Sequence, residues 1–223
     1  MKIENIVCKK PLLCIELINV MKIICIGRNY AEHAKEMKSE VPTEPVFFMK
    51  PETALLKNTK DFYYPDFTKD LHHEVEIVLK ISKNGKHIAE EFAHNYYNEI
   101  GIGIDFTARD LQMKCKEKGL PWEKAKAFDN SAPVSDFIPK EKFTSLNNLS
   151  FNLNINGKLR QQGNTNDLIF SNEKVIAYVS KFVTLKTGDL IFTGTPEGVS
   201  AVNIGDVLEA SIENQKLLTL NIK

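Results

Sequence analysis

The 223-residue chain has no excess of charge in either direction: 29 Lys and Arg are balanced by 29 Asp and Glu, with no long basic run. That excludes the electrostatic footprint of a nucleic-acid binder and leaves a small molecule as the expected partner. Cysteine is scarce as well. Cys8, Cys14, Cys25 and Cys115 show no Cys-x-x-Cys spacing, and a chain of this size does not depend on staples. Neither a zinc site nor a disulfide framework is expected, and reduced thiols in the cytoplasm fit best. Long apolar runs are also missing. The longest near the start, 11–20, is half a membrane span, carries Glu16 and is followed by no small-residue cleavage site, so no membrane anchor is expected. No tandem repeat suggests a solenoid. What is present, 43% hydrophobic and 26% charged residues, is an ordinary globular composition, and the length suits one large domain with its own core.

MKIICIG at 21–27 reads as a buried strand closed by a turn at Gly27. The following RNYAEHAKEMKSE is helix-forming, with His33 and Glu36 three apart on one face. A plain solvated surface helix is the competing reading there. Pro42, Pro45, Pro51 and Pro65 cut the next stretch into short extended pieces, including the apolar run Val46–Met49. HHEVEIVLKI at 72–81 alternates, so that Val75, Ile77, Leu79 and Ile81 point one way and Glu74, Glu76 and Val78 the other. Residues 90–98 look helical, and IGIGID at 100–105 reads as a buried strand ending at Asp105, with glycines that permit close backbone approach. Thr107 and Asp110 have the spacing of a capping box, opening a helix that runs through Lys118 to a stop at Gly119 with Arg109 and Gln112 on its first turns. After Pro121 the chain reads as irregular to about 140. Strand-like segments then return in LSFNLNING, DLIFS, KTGDLIFTGTP and NIGDVLEASI, and 171–183 fit an amphipathic helix. Many short strands with three or four isolated helices predict an α+β, mainly β architecture.

Two glutamates at i and i+2 of a strand put both carboxylates on one face about 7 Å apart, close enough to hold a common ion. The bland alternative is an edge strand facing water. Asp105, ending a glycine-containing apolar strand with Arg109 and Gln112 close behind, tips the balance. Three carboxylates without a cysteine or histidine partner select a hard cation, Mg2+ or Mn2+.

Five blocks then stand in a telling order: IGRNYAEHAKEM at 26–37, HHEVEI at 72–77, GIDFTARDLQ at 103–112, KGLPWEKAKAFDNSAPVS at 118–135 and LIFTGTPEGV at 190–199. Together they resemble the fumarylacetoacetate hydrolase superfamily, in its short, single-domain acylpyruvase and oxaloacetate decarboxylase branch. The resemblance covers a domain from 21 to 223 and leaves 1–20 as an N-terminal extension of uncertain status, since Met21 is an alternative start. It implies a mixed β-roll with a few short helices and a helical lid, a homodimer, and a divalent ion on Glu74, Glu76 and Asp105. It also implies catalytic roles for His33, Glu36, Lys126 and Gln112, and substrate contacts at Arg28, Tyr30, Arg109, Gly194 and Thr195. Taken alone, Lys126 is of a type usually exposed and Thr195 is an ordinary turn residue.

What the resemblance implies is an enzyme that breaks the C3–C4 bond of an α-keto acid, hydrolysing acylpyruvates or decarboxylating oxaloacetate through a pyruvate enolate. The ion and Lys126 would stabilise the enolate oxygen, and His33, oriented by Glu36, would activate water in the hydrolysis. Sister activities on the same scaffold are alternatives: 2-hydroxyhepta-2,4-diene-1,7-dioate isomerisation, oxaloacetate tautomerisation, or dehydration of a keto-deoxy sugar acid. These move a proton along the carbon chain instead of attacking with water, and the His33–Glu36 pair tilts the reading toward cleavage. A metal-binding protein without turnover has little use for a positioned base. The lid, with Glu32, Glu36 and several lysines, has no strong apolar face, and is expected to wind over the metal only once a ligand gives it a partner.

Overall fold

The structure, a computed structural model, describes residues 22–37, 40–57 and 61–223, so the expectation for residues 1–20 lies outside it. In chain order the principal elements are β1 (Ile23–Gly27), α1 (Ala31–Glu36), β2 (Val46–Lys50), β3 (Val75–Ile81), β4 (Tyr97–Ile104), α2 (Arg109–Glu117), α3 (Glu123–Lys126), β5 (Ser150–Ile155), β6 (Lys158–Asn164), α4 (Asn172–Phe182), β7 (Leu190–Phe192), β8 (Val207–Ile212) and β9 (Gln215–Ile222). A six-stranded sheet runs in the order Ile138–Pro139, β4, β3, β7, β1, β2, and a five-stranded one in the order β6, β5, β8, β9, Asp61–Phe62. Both sheets are mixed: β1 lies parallel to β7, and β9 parallel to Asp61–Phe62, while the other pairs are antiparallel. The mainly β, α+β architecture expected from the sequence is therefore present. Among the described residues no helix is long and apolar enough to cross a membrane.

β3 shows why the site forms where it does. Val75, Ile77, Leu79 and Ile81 are fully buried in a cluster that joins the two sheets through Phe151, Leu153, Leu208 and Ala210 and takes in Val175, Ile176 and Val179 of α4. Burying each side chain of this size stabilises by about 1.5–3 kcal/mol, so the core fixes the parity of the strand. Glu74 and Glu76 are thereby sent to the opposite face, where Val78 packs in a smaller cluster with Ile23, Cys25, Leu190 and Phe192. β3 is an interior strand between β4 and β7, and the reading of its acids as a solvated edge is excluded.

Local expectations meet the structure unevenly. Ser171 caps α4 by accepting from the Lys174 amide at 3.2 Å, as an N-cap serine should. The capping box at Thr107 does not form. Thr107 pairs with His72 in a short antiparallel bridge of strands, and Asp110 accepts instead from Thr68 Oγ1 at 2.6 Å and the Leu111 amide at 2.8 Å. Residues Glu90–Asn95 form a 3-10 helix, and α3 interrupts the stretch expected to be irregular. DLIFS is not a strand. Thr165–Asp167 turn in a 3-10 helix, and Leu168 makes a single bridge to Tyr30.

Candidate functional site

Register brings the three acids together. In the antiparallel β3–β4 pair Glu76 stands opposite Gly103, and the Asp105 amide donates to Glu74 O at 2.8 Å. Residues 103 and 105 share a face, as do 74 and 76, so all three carboxylates converge. They offer oxygens that lie within 4.8 Å of one another. Gly103 is required at this place: a Cβ there would sit 2.7 Å from the Phe192 ring and 3.0 Å from Pro133 O.

All three acids are buried, and bare carboxylates in such a place are costly unless compensated. Lys126 Nζ lies 2.8 Å from both Glu74 Oε2 and Asp105 Oδ2, and Arg109 Nη2 lies 2.6 Å from Glu74 Oε1. Burial works to raise the Glu74 carboxyl, but Lys126 and Arg109 outweigh it and hold the group well below the usual carboxylate range. Glu76 is different. Among the described residues its Oε2 accepts from the Gly194 amide alone, at 2.6 Å, and burial together with Asp105 and Glu74 pushes it well above that range. Lys50 Nζ lies 2.8 Å from Asp105 Oδ1, yet aims its hydrogen bonds at Ser131 and the Phe106 carbonyl, which leaves that oxygen buried without one. An unpaired acid beside an orphaned carboxylate oxygen, in an all-oxygen donor set, fits a divalent hard cation.

Above the triad opens a pocket walled by Arg28, His33, Arg109, Gln112, Lys116, Trp122, Lys126 and Thr195. His33 is buried, with Nδ1 3.2 Å from Glu36 Oε2. Glu36 is itself held by the Gly198 amide at 3.1 and 3.3 Å. A carboxylate can only accept, so in the neutral ring the proton belongs on Nδ1 and the lone pair on Nε2. The lid carrying this pair is wound and docked. It docks through few residues: Asn29 donates to the carbonyls of Phe170 and Thr193 at 3.0 and 2.8 Å and accepts from the Phe170 amide at 2.8 Å, while Tyr30 and Ala34 are buried. The seat thus combines one asparagine's hydrogen bonds with a short buried contact at Tyr30 and Ala34.

Two residues expected to touch substrate stand off the wall. Gly194 spends its amide on Glu76, and its φ of +108° with Asn29 Cβ 2.7 Å from a would-be Cβ excludes a side chain. Tyr30 packs edge-on against Phe151 at 6.3 Å and borders a separate cleft with Asp167 and Glu197.

Two residues at or behind the site, Lys50 and Gln161, are absent from the expected set. Lys50 closes the apolar run of β2, an edge strand in which it is the one buried residue, and a lysine ending an apolar run was the available signal. Gln161 had none: Nε2 donates to Thr195 Oγ1 and Pro196 O, both at 2.9 Å, while Oε1 accepts from the Val75 amide at 3.1 Å and faces His73 Nδ1 at 2.7 Å. This shared acceptor puts the His73 proton on Nδ1 and makes Nε2 the acceptor for Ser200 Oγ at 2.8 Å.

His73 thus has to stay neutral, and burial pushes its pKa down from 6.5 to about 4. The unfolded chain binds this proton below pH 6.5 and the folded chain does not, so the group's stabilisation is whole above 6.5 and lost as pH falls toward 4. In urea titrations between pH 7.5 and 4.5, His73→Gln should flatten the stability–pH curve relative to the wild type; identical curves would remove His73 from the acid response.

A family model described as fumarylacetoacetate (FAA) hydrolase C-terminal matches residues 22–222. The chain is 46% identical over 201 residues to a Mus musculus protein named oxaloacetate tautomerase FAHD1, mitochondrial, covering 90% of this chain and 91% of that one. It is 44% identical over 192 residues to the mitochondrial oxaloacetate decarboxylase of Dictyostelium discoideum, covering 86% and 88%. Among solved structures, fumarylpyruvate hydrolase from Pseudomonas aeruginosa in complex with Mn2+ and pyruvate superposes with a TM-score of 0.86 at 38% identity, covering 91% of this chain and 89% of that one.

Proposed function

Because the chain belongs to the fumarylacetoacetate hydrolase family, whose members named above are enzymes acting on keto acids, we propose that it interconverts the enol and keto forms of oxaloacetate. The observation carrying this reading is His33, its tautomer fixed by Glu36, on the wall of a pocket floored by three buried carboxylates. Glu74, Glu76 and Asp105 would hold Mg2+ or Mn2+, which supplies fixed positive charge for the oxygen at C2 of a 2-oxo acid.

The chain's own groups divide the remaining work. Burial opposes the charge on Lys126, but Asp105 and Glu74 more than offset this and raise its pKa. It stays an ammonium, a fixed donor beside the place where enolate charge gathers, and is no base. His33 Nε2 is left to move the proton. Loss of the C2 hydroxyl proton gives the enolate, and delivery of a proton to C3 gives the ketone, with no net change in composition. The His33–Glu36 pair consequently does not favour cleavage over tautomerisation: a base that can activate water can equally carry a proton to carbon.

C–C cleavage is the second reading, favoured by the likeness to the hydrolase structure carrying pyruvate. The same enolate would form from oxaloacetate by loss of carbon dioxide, or from an acylpyruvate after water attack. With Mg2+ present, decay of the enol's ultraviolet absorbance should be accelerated far more than pyruvate release from oxaloacetate, acetylpyruvate or fumarylpyruvate. Pyruvate release as fast as enol decay would make the chain a lyase or hydrolase first.

A further inference from the structure

Among the described residues four cations line the pocket, and they are not equivalent. Arg109 commits one guanidinium nitrogen to Glu74 and another to Gln112 at 2.7 Å, and Lys126 is committed to Glu74 and Asp105. Arg28 and Lys116 have no ion-pair partner among the described residues. Lys116 sits on α2 at i+7 from Arg109 and i+4 from Gln112, on the same face of the helix. Its ammonium stands 5.5 Å from the centroid of the Trp122 ring, which itself rests edge-on against Phe48 at 6.0 Å. Lys116 is exposed whereas the triad is buried, which puts it toward the mouth. Although its side chain reaches solvent, partial desolvation at the pocket, then Arg109 and Arg28, lower its pKa, so these cations stand close enough to repel one another.

We infer that Lys116 selects dicarboxylic 2-oxo acids by pairing with the carboxylate at the end of the chain remote from the keto group. The inference rests on the proposed function for the orientation of the substrate, with the keto acid end on the triad and the remainder pointing outward. Even with all three carboxylates ionised, the four described cations leave the pocket one positive charge, and a divalent ion would add to it, which suits a doubly charged anion and gives no comparable gain to a singly charged one. The Trp122 ring restrains the ammonium and lowers the ordering cost of the pair.

Trp122 is the single tryptophan of the chain and reports on binding independently of turnover. Dissociation constants would be read from its fluorescence, in rapid mixing at fixed Mg2+, for oxaloacetate and 2-oxobutyrate. These share a four-carbon chain and differ in a carboxylate against a methyl group. The wild type should prefer oxaloacetate; Lys116→Gln should weaken oxaloacetate by about five- to tenfold and 2-oxobutyrate by less than about twofold, with Lys116→Arg restoring the preference. Equal weakening of both acids, no change in either, or no preference in the wild type overturns the inference. Selective binding without enol decay or pyruvate release would overturn the proposed function while leaving Lys116 its role.

Discussion

Glu76→Gln should lower turnover by about three orders of magnitude or more, because a divalent ion at such a site contributes several kcal/mol to the stabilisation of developing charge. It should do so without damaging the protein. Glu76 is buried, its one hydrogen bond among the described residues is accepted from the Gly194 amide, and an amide oxygen of the same shape keeps that bond. In the absence of added cation the variant should be as stable as the wild type or more so, since burial, Asp105 and Glu74 all disfavour a charge at this position. Added Mg2+ should separate the two. The wild type gains stability in proportion to the logarithm of cation over its dissociation constant, and the variant gains little. Thermal melts with and without Mg2+ check this directly. Full activity of the wild type in chelator-treated buffer, or an equal Mg2+ shift in the variant, would show that the triad does not hold the ion.

The triad was legible in the sequence because the core writes it there. The apolar residues of β3 recur with a period of two, the glycines of β4 mark a close approach, and Asp105 follows at the right parity. Gln161 was not legible for the opposite reason: its partners lie far away along the chain, and it meets His73 across 88 positions. The capping box at Thr107 failed because a strand bridge to His72 competes for the same backbone. The lid's seat was not legible in its helical pattern. A buried asparagine with three hydrogen bonds to the segment before α4 and to the end of β7 helps to seat it, and one asparagine leaves no periodic trace. Lys126 shows the limit of composition. Its type argues for exposure, and only resemblance to a family, then the two carboxylates 2.8 Å away, identified it.

Removing the imidazole should distinguish proton movement from bond cleavage within one pocket. His33→Ala should slow enol–ketone conversion and acylpyruvate hydrolysis by about two to four orders of magnitude, the usual contribution of a positioned acid or base. Decarboxylation of the keto form should suffer less, since carbon dioxide leaves without a proton being removed first. Lys126→Met should harm all three, because each passes through the same enolate charge. Glu36→Gln is the finer probe. A glutamine can still accept from the Gly198 amide through its oxygen, but its amide nitrogen can present a donor to His33 Nδ1, which then has to give up its proton and leave Nε2 protonated. The expected result is a loss approaching that of His33→Ala, with the fold and Mg2+ response unchanged. Should His33→Ala instead depress decarboxylation as much as tautomerisation, the residue would be acting by closing the pocket to water, and proton transfer would have to be assigned elsewhere on the wall.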